Sequence, residues 1–149
     1  TITIPPTAYP SANDNMDRPT ISIEAELVRP YYDKEIVLQN IYYDLDKWNI
    51  REDARPTLDI LVNLLDSNTD LKVLIGAHTD CRADEEYNLN LSQKRAAAVV
   101  EYLKQKGIAP QRLKFKGYGK SKLIEDCICS DCTEKQHQKN RRTTFVLSK

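Results

Sequence analysis

The apolar positions of this chain alternate between two periods, and the alternation lays out a series of strands and helices. Residues 36–43, Ile-Val-Leu-Gln-Asn-Ile-Tyr-Tyr, are rich in β-branched, leucine and aromatic side chains and predict a first strand. From residue 51 to 65 the period changes. Leu58, Leu61, Val62 and Leu65 fall at i, i+3, i+4 and i+7, one face of a helix. Pro56 costs least in a first turn, so that helix should start only a few residues before it. Ser67-Asn68-Thr69-Asp70 is a turn, and the apolar run at residues 71–77 predicts a second strand. A second helix is expected over residues 92–106, with Leu91, Arg95, Ala98, Val99 and Tyr102 on one face and Leu103 beside them. Gly107 stands where a left-handed cap is wanted, and Ile108 and Pro110 follow as a helix stop requires. Residues 113–117 predict a third strand and residues 141–147 a last one. Between them, Thr133-x-x-Gln136 has capping-box spacing and should open a short helix. The order β-α-β-α-β-(α)-β predicts an α+β fold, a small mixed four-stranded sheet with its helices on one face.

The start of the chain is different. Residues 1–20 hold Pro5, Pro6, Pro10 and Pro19 among Thr, Ser, Asn and Asp, a linker composition. Ile21-Ser22-Ile23-Glu24-Ala25-Glu26-Leu27 alternates with period two, so residues 21–35 are expected to be strand-like. That segment is either an edge of the main sheet or the tail of an upstream domain, and the tail is preferred. The folded domain is expected over residues 36–149. Because the chain starts at Thr1 in mid-flow, it reads as a piece of a longer protein, with any export signal or lipid anchor upstream.

Composition narrows the function classes. Lys+Arg and Asp+Glu both number 22, so no net charge draws the chain to nucleic acid or an anionic membrane. No apolar run approaches the ~20 residues that span a bilayer. G-x-S-x-G, H-E-x-x-H, P-loop and G-x-G-x-x-G patterns are lacking, and only His78 and His137 could serve as a histidine base. An enzyme is not expected, nor a cofactor.

The chemistry concentrates between Gly76 and Arg95. Asp80 ends a strand in a polar turn with Thr79, and Arg95 lies on the core-leaning face of the next helix. A carboxylate and a guanidinium facing one pocket can clamp a zwitterion, one on its ammonium and the other forked onto its carboxylate. The plainer readings are a turn aspartate bonded to local backbone, or an Arg95–Asp80 bridge with no ligand. Asn88 is expected in the intervening loop. Asp44 and Asp46 follow the first strand, and Asp46 reads as a solvated loop charge. Arg141 and Arg142 open the last strand, where alternation lets at most one point into a pocket. His78-x-Asp80 lacks a third metal ligand nearby, so no metal is expected there. The four cysteines, Cys81, Cys127, Cys129 and Cys132, allow three two-bridge pairings. Disulfides stapling the loop at residues 123–133 are preferred over a Cys3His zinc site using His137, because C-x-C-x-x-C-x4-H packs ligands tightly.

Several of these residues also form an ordered set. Tyr43-Asp44 with Asp46-Lys47, then His78-Thr79-Asp80, Tyr87-Asn88, Leu91-Ser92 and Arg95-Ala96 precede Gly117-Tyr118-Gly119 and Asn140-Arg141-Arg142. The set resembles the OmpA C-terminal-like (OmpA/Pal/MotB) peptidoglycan-binding domains, over roughly residues 36–149. The resemblance implies non-covalent binding of peptidoglycan through the diaminopimelate of its stem peptide, held between Asp80 and Arg95. Asp44, Thr79, Asn88, Arg141 and Tyr43 would line the pocket. It departs where the family often has Gly soon after H-T-D and this chain has Cys81-Arg82-Ala83-Asp84, and where the loop after Gly119 is longer and cysteine-rich. The wording of residues 36–44, the Cys loop and residues 137–143 is similar to a subgroup of multi-domain envelope proteins, some serving type IX secretion. The expectation is a periplasmic module tying an outer-membrane-associated assembly to the cell wall, with other envelope proteins as partners. The alternative is a protein–protein interaction module with a lapsed pocket.

Overall fold

Asn40 decides where the first strand leaves the sheet. In the computed structural model, which describes residues 31–149, β1 is only Glu35–Val37. Leu38 adds one more backbone bond, its N–H to the Thr143 carbonyl at 2.9 Å. Asn40 then takes φ of 60°, a left-handed conformation that asparagine accepts more readily than most residues. The apolar run to Tyr43 therefore does not extend the strand as its composition suggested. Ile41 is buried, and Tyr43 packs against the core from a loop.

A 3-10 turn, Glu52–Ala54, leads into α1, Arg55–Ser67, which carries Pro56 in its first turn as expected. Its buried face is Leu58, Leu61, Val62 and Leu65, joined by Leu64. Strand β2, Lys72–His78, follows. Helix α2 is Glu85–Gln105, and so begins well before Ser92. The cause is Asp84, whose carboxylate accepts the Tyr87 N–H at 2.7 Å, with Glu85 and Glu86 favourably placed at the positive end of the helix. That polar first stretch has little apolar periodicity to betray it. Gly107 closes α2 with φ of 97°, and the Ile108 N–H returns to the Leu103 carbonyl at 3.1 Å. Strand β3 is Leu113–Gly119. The short helix α3, Glu134–Asn140, opens with the expected Thr133/Gln136 capping box, and β4 is Arg142–Ser148.

The sheet order is β1-β4-β2-β3. Strand β4 runs antiparallel to both β1 and β2, whereas β2 and β3 are parallel. This is the mixed four-stranded sheet that the element order predicts. Ile36, Val73, Ile75, Phe145 and Leu147 join Leu58, Leu61, Leu65, Val99 and Leu103 in one buried cluster between sheet and helices. Helix α2 lies hard against β3. A Cβ at Gly117 would collide with the Gln93 backbone and approach the Ser92 hydroxyl to 2.6 Å. Ser92 and Gln93 use that closeness: Ser92 Oγ accepts the Gly119 N–H at 2.9 Å and Gln93 Oε1 accepts the Gly117 N–H at 2.7 Å. These bonds register the helix against the strand end where the site forms.

Tyr31 and Tyr32 also pack against the core, and the Asp33 N–H bonds to the Leu147 carbonyl at 2.8 Å. The expected linker at residues 1–20 and residues 21–30 of the strand-like segment expected over 21–35 lie outside the described residues. Residues 31–35 of that segment lie against this domain's own sheet and core, with Glu35 opening β1. Among the described residues, no helix is long and apolar enough to cross a membrane.

Candidate functional site

Where β2 ends, the Thr79 N–H still bonds to the Gly119 carbonyl at 2.9 Å, so the chain keeps its course as far as Asp80. Thr79 and Asp80 are buried there. Asp80 does not meet Arg95 in an ion pair. Its Oδ1 accepts the backbone N–H of Arg82 at 2.9 Å. Its Oδ2 accepts Arg82 Nη2 at 2.7 Å, Arg82 Nε at 3.2 Å and Arg141 Nη1 at 2.7 Å. Burial works to raise the carboxyl pKa, but the Arg82 and Arg141 donors outweigh it and hold Asp80 at about 2. Arg141 is itself braced by Glu134 and Gln138, each accepting from Nη2 at 2.6 Å.

Arg95 is buried on α2, and the bridge to Asp80 envisaged from the spacing is replaced by other partners. Its Nε donates to the Lys47 carbonyl at 2.9 Å and its Nη2 to the Asp44 carbonyl at 3.3 Å. Its guanidinium lies 4.6 Å from the centroid of the Tyr43 ring. Tyr43 in turn shares a hydrogen bond with the Thr143 hydroxyl at 3.2 Å, and burial pushes its phenol pKa up. The guanidinium is thus fixed in place by neutral partners, so its charge stays available to an incoming anion.

These groups border one cavity of about 480 Å3, a size usual for small-ligand sites. Tyr43, Thr79, Asp80, Asn88, Arg95 and Arg141 all line it. Asp44 does not. The Lys47 N–H bonds to the Asp44 carbonyl at 3.0 Å, and this turn swings the Asp44 carboxylate out to Arg51 Nη1 at 3.2 Å. Asp44 therefore contributes its backbone oxygen and not its charge. Asp46, read from the sequence as a solvated charge, does line the cavity and accepts a hydrogen bond from the Tyr87 hydroxyl. Asn88 sits in the first turns of α2 and not in a loop, its Nδ2 donating to the Arg82 carbonyl at 2.6 Å.

Arg141, just before β4, and Arg142, its first residue, both border the cavity, where alternation predicted at most one, but they take different partners. Arg141 reaches Asp80. Arg142 also borders the cavity, but its Nη2 donates to the Lys122 carbonyl at 2.9 Å and lies 3.6 Å from Glu35. Beside it His78 is buried and stacked on Tyr118, ring centroids 4.7 Å apart. Burial first, then Arg142 and Lys122, lower the His78 pKa to about 3.

Sequence reasoning missed Arg82, Glu134 and Gln138 as site residues. Arg82 stands two residues beyond Asp80, and Glu134 and Gln138 lie one turn apart on α3, before Arg141. Local proximity was the only signal available. The cysteine loop is joined to the site as well. Cys81, next to Asp80, pairs with Cys129, and Cys127 pairs with Cys132. Asn140, fully buried, accepts the Ile124 and Glu125 N–H groups at 2.8 and 2.9 Å and so seats the same loop.

The comparisons with known proteins agree with this architecture. The OmpA family matches residues 42–141. The chain is 36% identical over 108 residues to a peptidoglycan-associated lipoprotein of Mesorhizobium japonicum, covering 72% of this chain and 62% of that one. The crystal structure of the peptidoglycan-associated lipoprotein from Burkholderia pseudomallei superposes with a TM-score of 0.65 at 30% identity, covering 72% of this chain and 88% of that one. The periplasmic domain of Helicobacter pylori MotB shares the fold at 18% identity, with a TM-score of 0.63 over 76% of this chain and 73% of that one. Curated relatives that the chain matches are longer than the match, which spans between 13% and 62% of their lengths. With the family matched from Tyr42 to Arg141, over strands β2 and β3, all three helices and most of the cavity lining, the chain belongs to the OmpA family.

Proposed function

We propose that this domain binds peptidoglycan non-covalently, taking the zwitterionic side-chain end of diaminopimelate into the cavity between Asp80 and Arg95. The observation that carries the reading is the state of Arg95. It is a buried guanidinium held by two carbonyls and an aromatic face, with no carboxylate among its recorded hydrogen bonds. Asp46 and Asp80 act on it only through space, and a ligand carboxylate supplies the direct ion pair it lacks. The ligand ammonium goes to Asp80, with Thr79 and Asn88 as neutral neighbours. Arg141 keeps its hold on Asp80 from the cavity wall, and the half-exposed Arg82 is the group that gives way. Relatives named as peptidoglycan-associated lipoproteins support peptidoglycan as the partner.

In this reading the domain is an anchor and not an enzyme, working in the periplasm. It joins the cell wall to an outer-membrane-associated assembly, such as a type IX secretion complex, through parts of the protein beyond this domain. The two cysteine pairs staple the loop beside the cavity and suit an oxidising compartment. One observation favours the alternative, an interaction module with a lapsed pocket: Leu45 and Ile128 are 86% and 73% exposed near the cavity rim and the cysteine loop. Sedimentation with purified peptidoglycan separates the two. Wild type should pellet with the wall material, and free diaminopimelate should compete it off. A wild-type protein that stays in the supernatant would hand the site to the interaction reading.

A further inference from the structure

The cysteine loop brings together more than two bridges. The sulfurs of Cys81 and Cys132 and a ring nitrogen of His137 all lie within 4.8 Å of one another. Cys129 and Cys127 are bonded to those two sulfurs, so four sulfurs and an imidazole surround one small volume. His137 is 5% exposed although it sits on a short helix of mostly exposed residues. The side-chain contact recorded for its Nδ1 is the Cys81 sulfur, at 3.9 Å, too long to satisfy an imidazole well.

We infer that this cluster, once its disulfides are reduced, is a zinc site formed by Cys81, Cys132, His137 and one of Cys127 and Cys129. Zinc takes four such ligands tetrahedrally, with Zn–S near 2.3 Å and Zn–N near ~2.0 Å. The donors already gathered within 4.8 Å need only small shifts to enclose an ion. The tight spacing C-x-C-x-x-C-x4-H argues against a site built from the loop alone. The fold relieves that objection by bringing Cys81 in from the end of β2, so only part of the set comes from neighbouring residues.

The chemistry balances with a dithiol as reductant. Each disulfide takes two electrons and two protons from one dithiol, which leaves as its own disulfide. Zn2+ then replaces the protons of three thiols, releasing three hydrogen ions, while a neutral imidazole fills the fourth position and the last cysteine remains a thiol. Disulfide and zinc states exclude each other. Both fix Cys81, and with it Asp80, to the segment that leads into the helix before Arg141. The loop can therefore support the binding cavity in either redox state.

The test needs no peptidoglycan, so it stands apart from the proposed ligand. The 149-residue chain is reduced with a dithiol, desalted without oxygen and titrated with Zn2+, then with Co2+ as a spectroscopic stand-in. The expected result is one equivalent of metal per reduced chain, a tetrahedral thiolate–cobalt spectrum, and no uptake by the oxidised chain. His137→Ala and Cys132→Ser should each weaken zinc binding by about 100-fold or more. Circular dichroism of the zinc-loaded protein must show the folded spectrum. No uptake after reduction, equal uptake by the oxidised chain, unchanged affinity in both variants, or metal held by an unfolded chain would each overturn the inference.

Discussion

Arg95 lies over Tyr43 with its guanidinium 4.6 Å from the ring centroid, and its hydrogen bonds go to the Lys47 and Asp44 carbonyls and not to Asp80. Asp80 is instead held by Arg82 and Arg141, each within 2.7 Å of Oδ2. The two halves of the proposed clamp are therefore braced separately, and a ligand would be the first thing to link them. Removing one member of such a desolvated charge pairing costs ~2–5 kcal/mol of binding. Asp80→Ala and Arg95→Ala should each weaken peptidoglycan binding by roughly 30-fold or more. Arg95→Lys should recover only part, since an ammonium offers no planar fork and stacks poorly on Tyr43. Binding isotherms on variants shown to be folded check this, and an Asp80→Ala protein that binds as wild type would sink the clamp.

Arg82 should act in the opposite sense. Its Nε and Nη2 occupy the Asp80 carboxylate in the free protein, and its side chain is half exposed. Arg82→Ala removes a competitor for the ligand ammonium, so diaminopimelate should bind a few-fold more tightly. Calorimetric titration decides it, and a clear loss of affinity would make Arg82 a ligand contact.

Ala83 has φ of 66°, in the left-handed region that costs a residue with a Cβ ~1–2 kcal/mol. Glycine loses more backbone freedom on folding, which offsets part of that relief. Ala83→Gly should still stabilise the domain, by about 0.5–1 kcal/mol, and raise its thermal midpoint. An unchanged or lower midpoint would show that the loop is not strained there.

His78 makes the domain sensitive to mild acid. Its folded pKa is lowered to about 3 from 6.5, so between those values the unfolded chain binds the extra proton and the folded one does not. Stability is then full above pH 6.5 and falls as the pH drops toward 3. From pH ~7.5 to ~5 the loss should be about 2 kcal/mol. His78→Phe, which keeps a ring against Tyr118, should flatten that slope in urea unfolding. An equally steep fall in the variant would place the acid sensitivity elsewhere.

The fold was legible in the sequence wherever periodicity ran long enough. Leu58, Leu61, Val62 and Leu65 marked α1, Gly107 marked the end of α2, and Thr133 with Gln136 marked α3. It was less legible where one polar residue overruled a trend. Asn40 cut β1 short, and Asp84 started α2 ahead of its apolar stripe. Tyr43, Thr79, Asp80, Asn88, Arg95 and Arg141, all legible in the sequence as candidates, line the cavity. Asp44 was misjudged because the turn to Lys47 aims its side chain away, which no spacing encodes. The bracing of Arg141 by Glu134 and Gln138 likewise depends on how α3 meets β4. Sequence distance says little about such contacts.

The pairing of β1 with β4 has a mechanical consequence. Tyr32 lies beside Leu147 at one end of β4, and Arg141 reaches into the cavity from the other end. A pull between a bound wall fragment and the chain before Tyr31 would run along β4. The rungs between Glu35 and Val146, Ile36 and Phe145, and Val37 and Thr144 lie across that line. They would be strained together in shear rather than peeled apart one after another. A tether built this way resists tension with its shortest strand.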